Sequence, residues 1–185
     1  MVFTAPYFIN KQAGSNHHTK DRLQELINIR TLKVYLETTM FNYYFDSERD
    51  AHADTVKLFE EIKAGIFQGF TSMYVLRELG DAPEDKRRKM LSLIDEYGIT
   101  TFDESPEAVR LAEAYVSEKV IPSKYLTDGI HIAVATIHEM DMIVSLNFKH
   151  IVRKKTIDLT GLINVSRGYR KVEIHSPMEV VDSEY

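Results

Sequence analysis

From Lys33 onward, short apolar runs alternate with longer segments of helical periodicity, which restricts the fold to a parallel sheet covered by helices. The runs read as strands are Lys33 to Glu37, Gly69 to Thr71, Ile99 to Phe102, Met142 to Ser145 and Lys171 to Ile174. Helices are expected over Thr38 to Phe45, Asp50 to Ile66, Met73 to Leu79, Pro83 to Tyr97, from Pro106, and from Pro122 to about Met140. In the second of these, Val56, Leu58, Phe59 and Ile62 face inward and Gly65 marks the end. Ser72 and Ser105 stand where helix caps belong, and Pro106 fits a first helical position. The stretch Ile130 to Ile137 is apolar nearly all round, so its helix is expected to be central and buried. Between Ile151 and Arg170 the pattern assigns no element. Ser176-Pro177 opens a last helical turn.

The domain is expected over residues 32–185, preceded by an extension, residues 1–31, that is expected to be partly disordered and to carry a short helix with Leu23, Leu26 and Ile27 at helical spacing. A chain of 185 residues buries a core without disulfides or a structural metal. It has no cysteine, which excludes thiolate catalysis and zinc–thiolate sites. No apolar run reaches the roughly 18 residues of a membrane span, and the start lacks the pattern of a signal peptide, so a cytoplasmic protein without membrane contact is expected. The net charge of -5 argues against bulk attraction to nucleic acid. Charge is uneven, however. Between Asn147 and Lys171, seven bases (Lys149, Arg153, Lys154, Lys155, Arg167, Arg170, Lys171) face one acid, Asp158. That stretch is either a solvated surface or a seat for a polyanion.

Three carboxylates stand beside or inside apolar segments, where an unpaired charge is costly. Glu37 ends the first strand, Glu78 lies late in the helix after the second, and Asp128 begins the buried helix. Ligands of a parallel sheet bind at the carboxyl ends of its strands, and Asn147 lies just past the fourth. Three acids gathered there would repel one another unless a hard cation lay between them, and oxygen ligands suit Mg²⁺ or Mn²⁺. His131, on the face of Asp128, is either a hydrogen-bonded structural residue or a contact of the site; His138 is expected at the surface. No glycine-rich phosphate loop, nucleophile elbow or Asp-x-Asp after the first strand is present, which leaves competing chemistries without a site.

The segments Val34-Tyr35-Leu36-Glu37-Thr38-Thr39, Thr71-Ser72 with Val75 to Leu79, Leu126 to Ala133, and Asp141 to Ile151 resemble, in order, the four motifs of the PIN-domain family. Gly168-Tyr169 and Ile174-His175-Ser176-Pro177 are similar to the end of its VapC-like toxin branch. The resemblance covers about Lys33 to Val181. It implies a three-layer α/β/α sandwich with a parallel sheet of about five strands. It also implies a Mg²⁺- or Mn²⁺-dependent ribonuclease, commonly homodimeric and often held inactive by an antitoxin. By position, Glu37, Glu78 and Asp128 are the metal-binding acids, and Asn147 stands where a fourth acid often lies. Thr38 and Ser145 support the site, and Lys149, Arg153, Lys154 and Lys155 would bind RNA phosphates. Two departures stand out: the first acid is a glutamate, one methylene longer than the usual aspartate, and Asn147 is neutral. The rival is a PIN-like scaffold without turnover that acts by binding RNA or protein.

Overall fold

The computed structural model describes residues 30–181. The helix expected in the N-terminal extension lies outside the described residues. Five strands form one sheet: β1 (Leu32–Leu36), β2 (Phe67–Ser72), β3 (Thr100–Phe102), β4 (Met142–Val144) and β5 (Glu173–His175). Every pairing is parallel, in the order β3-β2-β1-β4-β5. β1 is central, and its Val34, Tyr35 and Leu36 are fully buried, as expected of a strand covered on both faces.

The helices are α1 (Thr38–Tyr43), α2 (His52–Lys63), α3 (Met73–Gly80), α4 (Glu84–Glu96), α5 (Pro106–Ser117), α6 (Leu126–Ile137), α7 (Lys154–Ser166) and α8 (Pro177–Val181). Gly65 and Gly98, with φ of 77° and 62°, supply the left-handed backbone that ends α2 and α4. The chain steps from β1 through β2 to β3 in one direction, then returns across the sheet to β4 and β5. Right-handed crossovers therefore put α1 to α4 on one face and α5 to α7 on the other. The contacts agree: α1 to α4 pack among themselves, and α5 packs on α6 and α7. The direction reverses between β1 and β4, and the crevice at their carboxyl ends is the topological switch point.

The architecture is the one expected, with four local differences. The buried helix starts at Leu126, after a 3₁₀ turn over Ser123–Tyr125, and stops at Ile137 rather than near Met140. Glu139 takes a φ of 52°, and the Met140 N–H folds back onto the Ala135 carbonyl. Helix α7 is absent from the sequence reading because its buried positions are Thr156, Thr160, Gly161 and Asn164, while Leu162 and Val165 are 66% and 61% exposed. Apolar periodicity cannot report a helix whose inner face is polar. That face is satisfied instead by hydrogen bonds: Tyr115 Oη donates to Asn164 Oδ1 at 2.5 Å, and Asn164 Nδ2 donates to Thr136 Oγ1 at 2.9 Å. Ser105 caps α5 as expected, but Ser72 makes no cap bond. His138 is half-buried and stacks on Phe102 at 3.7 Å between ring centroids, because β3 lies beside the end of α6.

Candidate active site

Glu37 follows β1 directly, and its N–H extends the ladder by donating to the Val144 carbonyl of β4. Its side chain enters the switch-point crevice and is 3% exposed. Oε2 accepts from Ser145 Oγ at 2.8 Å and from Thr39 Oγ1 at 2.6 Å. Thr39 Oγ1 in turn accepts the Leu146 N–H at 2.8 Å, so the loop after β4 is tied to the start of α1. Burial pushes the Glu37 carboxyl above its ordinary range, although the nearby His131 and the Thr39 and Ser145 donors pull the other way.

Glu78 reaches the crevice from α3. Its Oε2 accepts from Thr38 Oγ1 and, at 3.0 Å, from His131 Nε2 on α6. His131 is 1% exposed, and its Nδ1 meets Tyr35 Oη at 3.0 Å, which meets Ser72 Oγ at 2.7 Å. A buried chain thus runs Ser72–Tyr35–His131–Glu78, which explains why Ser72 does not cap α3. Burial opposes a charge on His131, but the Glu78 bond and the carboxylates of Glu78, Glu37 and Asp128 outweigh it and hold the ring above its usual range. Burial also opposes a charge on Glu78, yet its His131 and Thr38 partners prevail and hold it below the usual carboxylate range.

Asp128 lies in the first turn of α6. Oδ1 accepts from Asn147 Nδ2 at 3.0 Å. Oδ2 is buried and has no hydrogen-bond partner. Burial, with the Glu78 charge nearby, raises the carboxyl to about 6 against the pull of His131 and Asn147. Asn147 is itself held firmly, its N–H donating to Ser145 Oγ at 2.9 Å and its Oδ1 accepting the His150 N–H at 3.1 Å.

The structure thus brings Glu37, Thr38, Glu78, Asp128, Ser145 and Asn147 into three hydrogen-bonded groups joined at Ser145, at α1 and along α6. Every side-chain bond named ends on one oxygen of each acid: Oε2 of Glu37, Oε2 of Glu78 and Oδ1 of Asp128. Among the described residues no three of His, Asp and Glu are grouped so that they could hold a metal ion. One or two carboxylates of this set could hold a hard cation only with water completing its shell. Each acid keeps one oxygen outside these side-chain bonds, and that of Asp128, Oδ2, is buried without a hydrogen-bond partner.

The basic residues divide. Lys149 and Arg153 lie in and after the loop that carries Asn147, and Arg153 directly precedes α7. Lys154 and Lys155 begin α7, where Lys154 pairs with Asp158 at 3.0 Å and lines an open groove with Phe148, Ile157, Ile174 and Met178, apart from the three acids. Sequence reasoning missed Thr39, whose second partner, Leu146, is 107 positions away, and the Tyr35–Ser72 link to His131. Nothing local distinguishes Thr39 from Thr38; only the fold does.

Comparison with known proteins adds little to this geometry. No protein-family model and no curated protein matches the chain. Among solved structures, it is similar to a chain of VapBC2 from Rickettsia felis bound to a DNA fragment from their promoter. The identity is 14%, the TM-score is 0.49, and the match covers 78% of this chain and 98% of that one. Likeness at this level transfers no residue role.

Proposed function

We propose that the chain is a PIN-like, Mg²⁺- or Mn²⁺-dependent endoribonuclease that hydrolyses RNA phosphodiesters as the toxin of a toxin–antitoxin pair. The observation that carries the reading is Asp128 Oδ2, a buried carboxylate oxygen without a hydrogen-bond partner, in the crevice that Glu37 and Glu78 also enter. Burial disfavours the charge on this carboxyl even with Asn147 and His131 beside it, so a site that retains it is suited to a cation. Asp128 would hold the ion, with at most one of Glu37 and Glu78 joining it; when bound, the ion would lower the pKa of water and offset charge on the phosphodiester.

The chain's own residues have distinct tasks. Ser145 and Thr39 fix the Glu37 carboxylate, while Asn147 orients Asp128 through Oδ1 and leaves Oδ2 directed elsewhere. The Glu78 side chain, 35% exposed, has more room to turn, and Thr38 and His131 hold it meanwhile. Lys149, Arg153, Lys154 and Lys155 are exposed and would neutralise flanking phosphates. An antitoxin and a homodimer both require apolar surface, and Leu162, Val165 and Met178 provide some. Among the described residues no helix is long and apolar enough to cross a membrane.

The test incubates the purified protein with end-labelled RNA in Mn²⁺, beside a chelator control and Asp128→Asn. Cleavage should require the metal and fall by at least about a hundredfold in the variant, the scale of losing an essential electrostatic group. Absence of cleavage, or cleavage unchanged in Asp128→Asn, refutes the assignment. The second reading, an inactive scaffold that binds RNA or protein, is favoured by the neutral Asn147 paired to Asp128. It predicts RNA binding without cleavage in the same experiment.

A further inference from the structure

The 3₁₀ turn that leads into α6 and the loop that follows β4 meet at a pair of rings. Tyr125 and His150 stack at 3.7 Å between centroids with an interplanar angle of 29°. Lys124 Nζ lies 4.8 Å from the Tyr125 ring centroid. Both rings are only partly buried, while Lys124, Lys149 and Arg153 are exposed. Among the described residues none of these three cations is in an ion pair, in contrast to Lys154. The burial of the His150 ring and the charges of Lys149, Lys124 and Arg153 hold its pKa below the ordinary histidine value. The pair is also wired to the acidic crevice. Tyr125 precedes Asp128 by three residues, and the His150 N–H donates to Asn147 Oδ1, whose amide donates to Asp128 Oδ1.

We infer that Tyr125, His150, Lys124, Lys149 and Arg153 form a nucleotide subsite for single-stranded RNA, in which a base stacks on the ring pair and adjoining phosphates rest on the three cations. The inference deepens the nuclease reading, on which it rests for the class of ligand. A packed pair of rings at the surface offers a π-face to any base, and neighbouring cations track the backbone on either side. Such a subsite binds unstacked strands and gains nothing from a duplex, whose bases are already covered. It also resolves a conflict of charge: the chain as a whole is acidic, but the phosphate nearest the carboxylates meets three local cations.

The test measures fluorescence anisotropy of a short labelled single-stranded RNA, with a chelator present so that neither metal nor cleavage enters the readout. A second probe of the same length carries abasic sites in place of the bases. Tyr125→Leu and His150→Ala should each weaken binding of the first probe about tenfold or more, and leave the abasic probe unchanged. Tyr125→Phe keeps the ring and should bind as the parent does, which separates stacking from a folding defect. Lys124→Gln should weaken both probes and reduce the salt slope by about 0.7. Equal binding of the first probe by parent, Tyr125→Leu and His150→Ala overturns the subsite, as do equal losses on both probes or equal affinity for duplex RNA. A parent that fails to cleave RNA but shows the base-dependent losses refutes the nuclease reading and upholds the subsite. Cleavage with no base-dependent loss does the reverse.

Discussion

Replacing Asp128 by asparagine should make the metal-free protein more stable, although it removes a residue from the heart of the site. In the folded chain this carboxyl titrates at about 6, against 3.8 ordinarily, chiefly because burial penalises its charge. Below the lower value it is protonated in both states and contributes nothing. Between the two values the unfolded chain loses its proton first, and the folded state is progressively disfavoured. Above 6 the whole penalty is present. The full difference corresponds to about 3 kcal/mol, which solvent at this partly exposed group reduces to about 1–2 kcal/mol. Asparagine keeps an oxygen for the Asn147 amide and removes the charge. In chelator at pH 7, Asp128→Asn should therefore melt roughly 3–6 °C higher than the parent, and the gap should close as the pH falls toward 4. Calorimetric melts from pH 4 to pH 8 read this directly. Added Mn²⁺ should raise the parent's melting temperature and leave the variant unmoved. A variant less stable than the parent at pH 7, with a gap independent of pH, would refute the reasoning.

Asn147→Asp replaces a donor to Asp128 Oδ1 by a like charge, so the metal-free protein should lose about 1–3 kcal/mol in urea titrations while its Mn²⁺ affinity rises. Asn164→Ala leaves the Tyr115 hydroxyl and Thr136 without a shared partner in a buried layer, and should cost about 2–4 kcal/mol by the same measurement. Gly69→Ala should cost about 1–3 kcal/mol, because a Cβ there would come within 2.9 Å of Ile62 Cγ2 on α2; an unchanged melting temperature would mean that the helix can shift.

The strand–helix alternation and the placement of the acids were legible because each rests on local pattern. Val34, Tyr35 and Leu36 form an apolar run that only a central strand explains, and Ile130 to Ala135 can only be a buried helix. What was not legible depends on pairs distant in sequence. Helix α7 hides its inner face behind Thr156, Thr160 and Asn164, whose burial is intelligible only once Tyr115 and Thr136 are opposite. Ser72 has the right residue type for a cap, but Tyr35, 37 positions earlier, claims its hydroxyl. Glu78 stands in its helix by local pattern, but its partners His131 and Thr38, 53 and 40 positions away, emerge only from the fold. In each case the local signal named the residue type and long-range packing chose its partner.

The switch point between β1 and β4 also sets the order in which the site comes into being. Glu37 and its strand emerge early from a ribosome, but Ser145, which fixes its carboxylate, is encoded 108 positions later. Asp128 and Asn147 likewise belong to the second half of the chain, and β4 cannot lie beside β1 until that half has been made. Between the synthesis of Glu78 and that of Asp128, a growing chain therefore carries two of the three acids without His131, Ser145 or the crevice beside β4. The site that these acids and their partners make comes into being only when β4 has been translated and has docked beside β1.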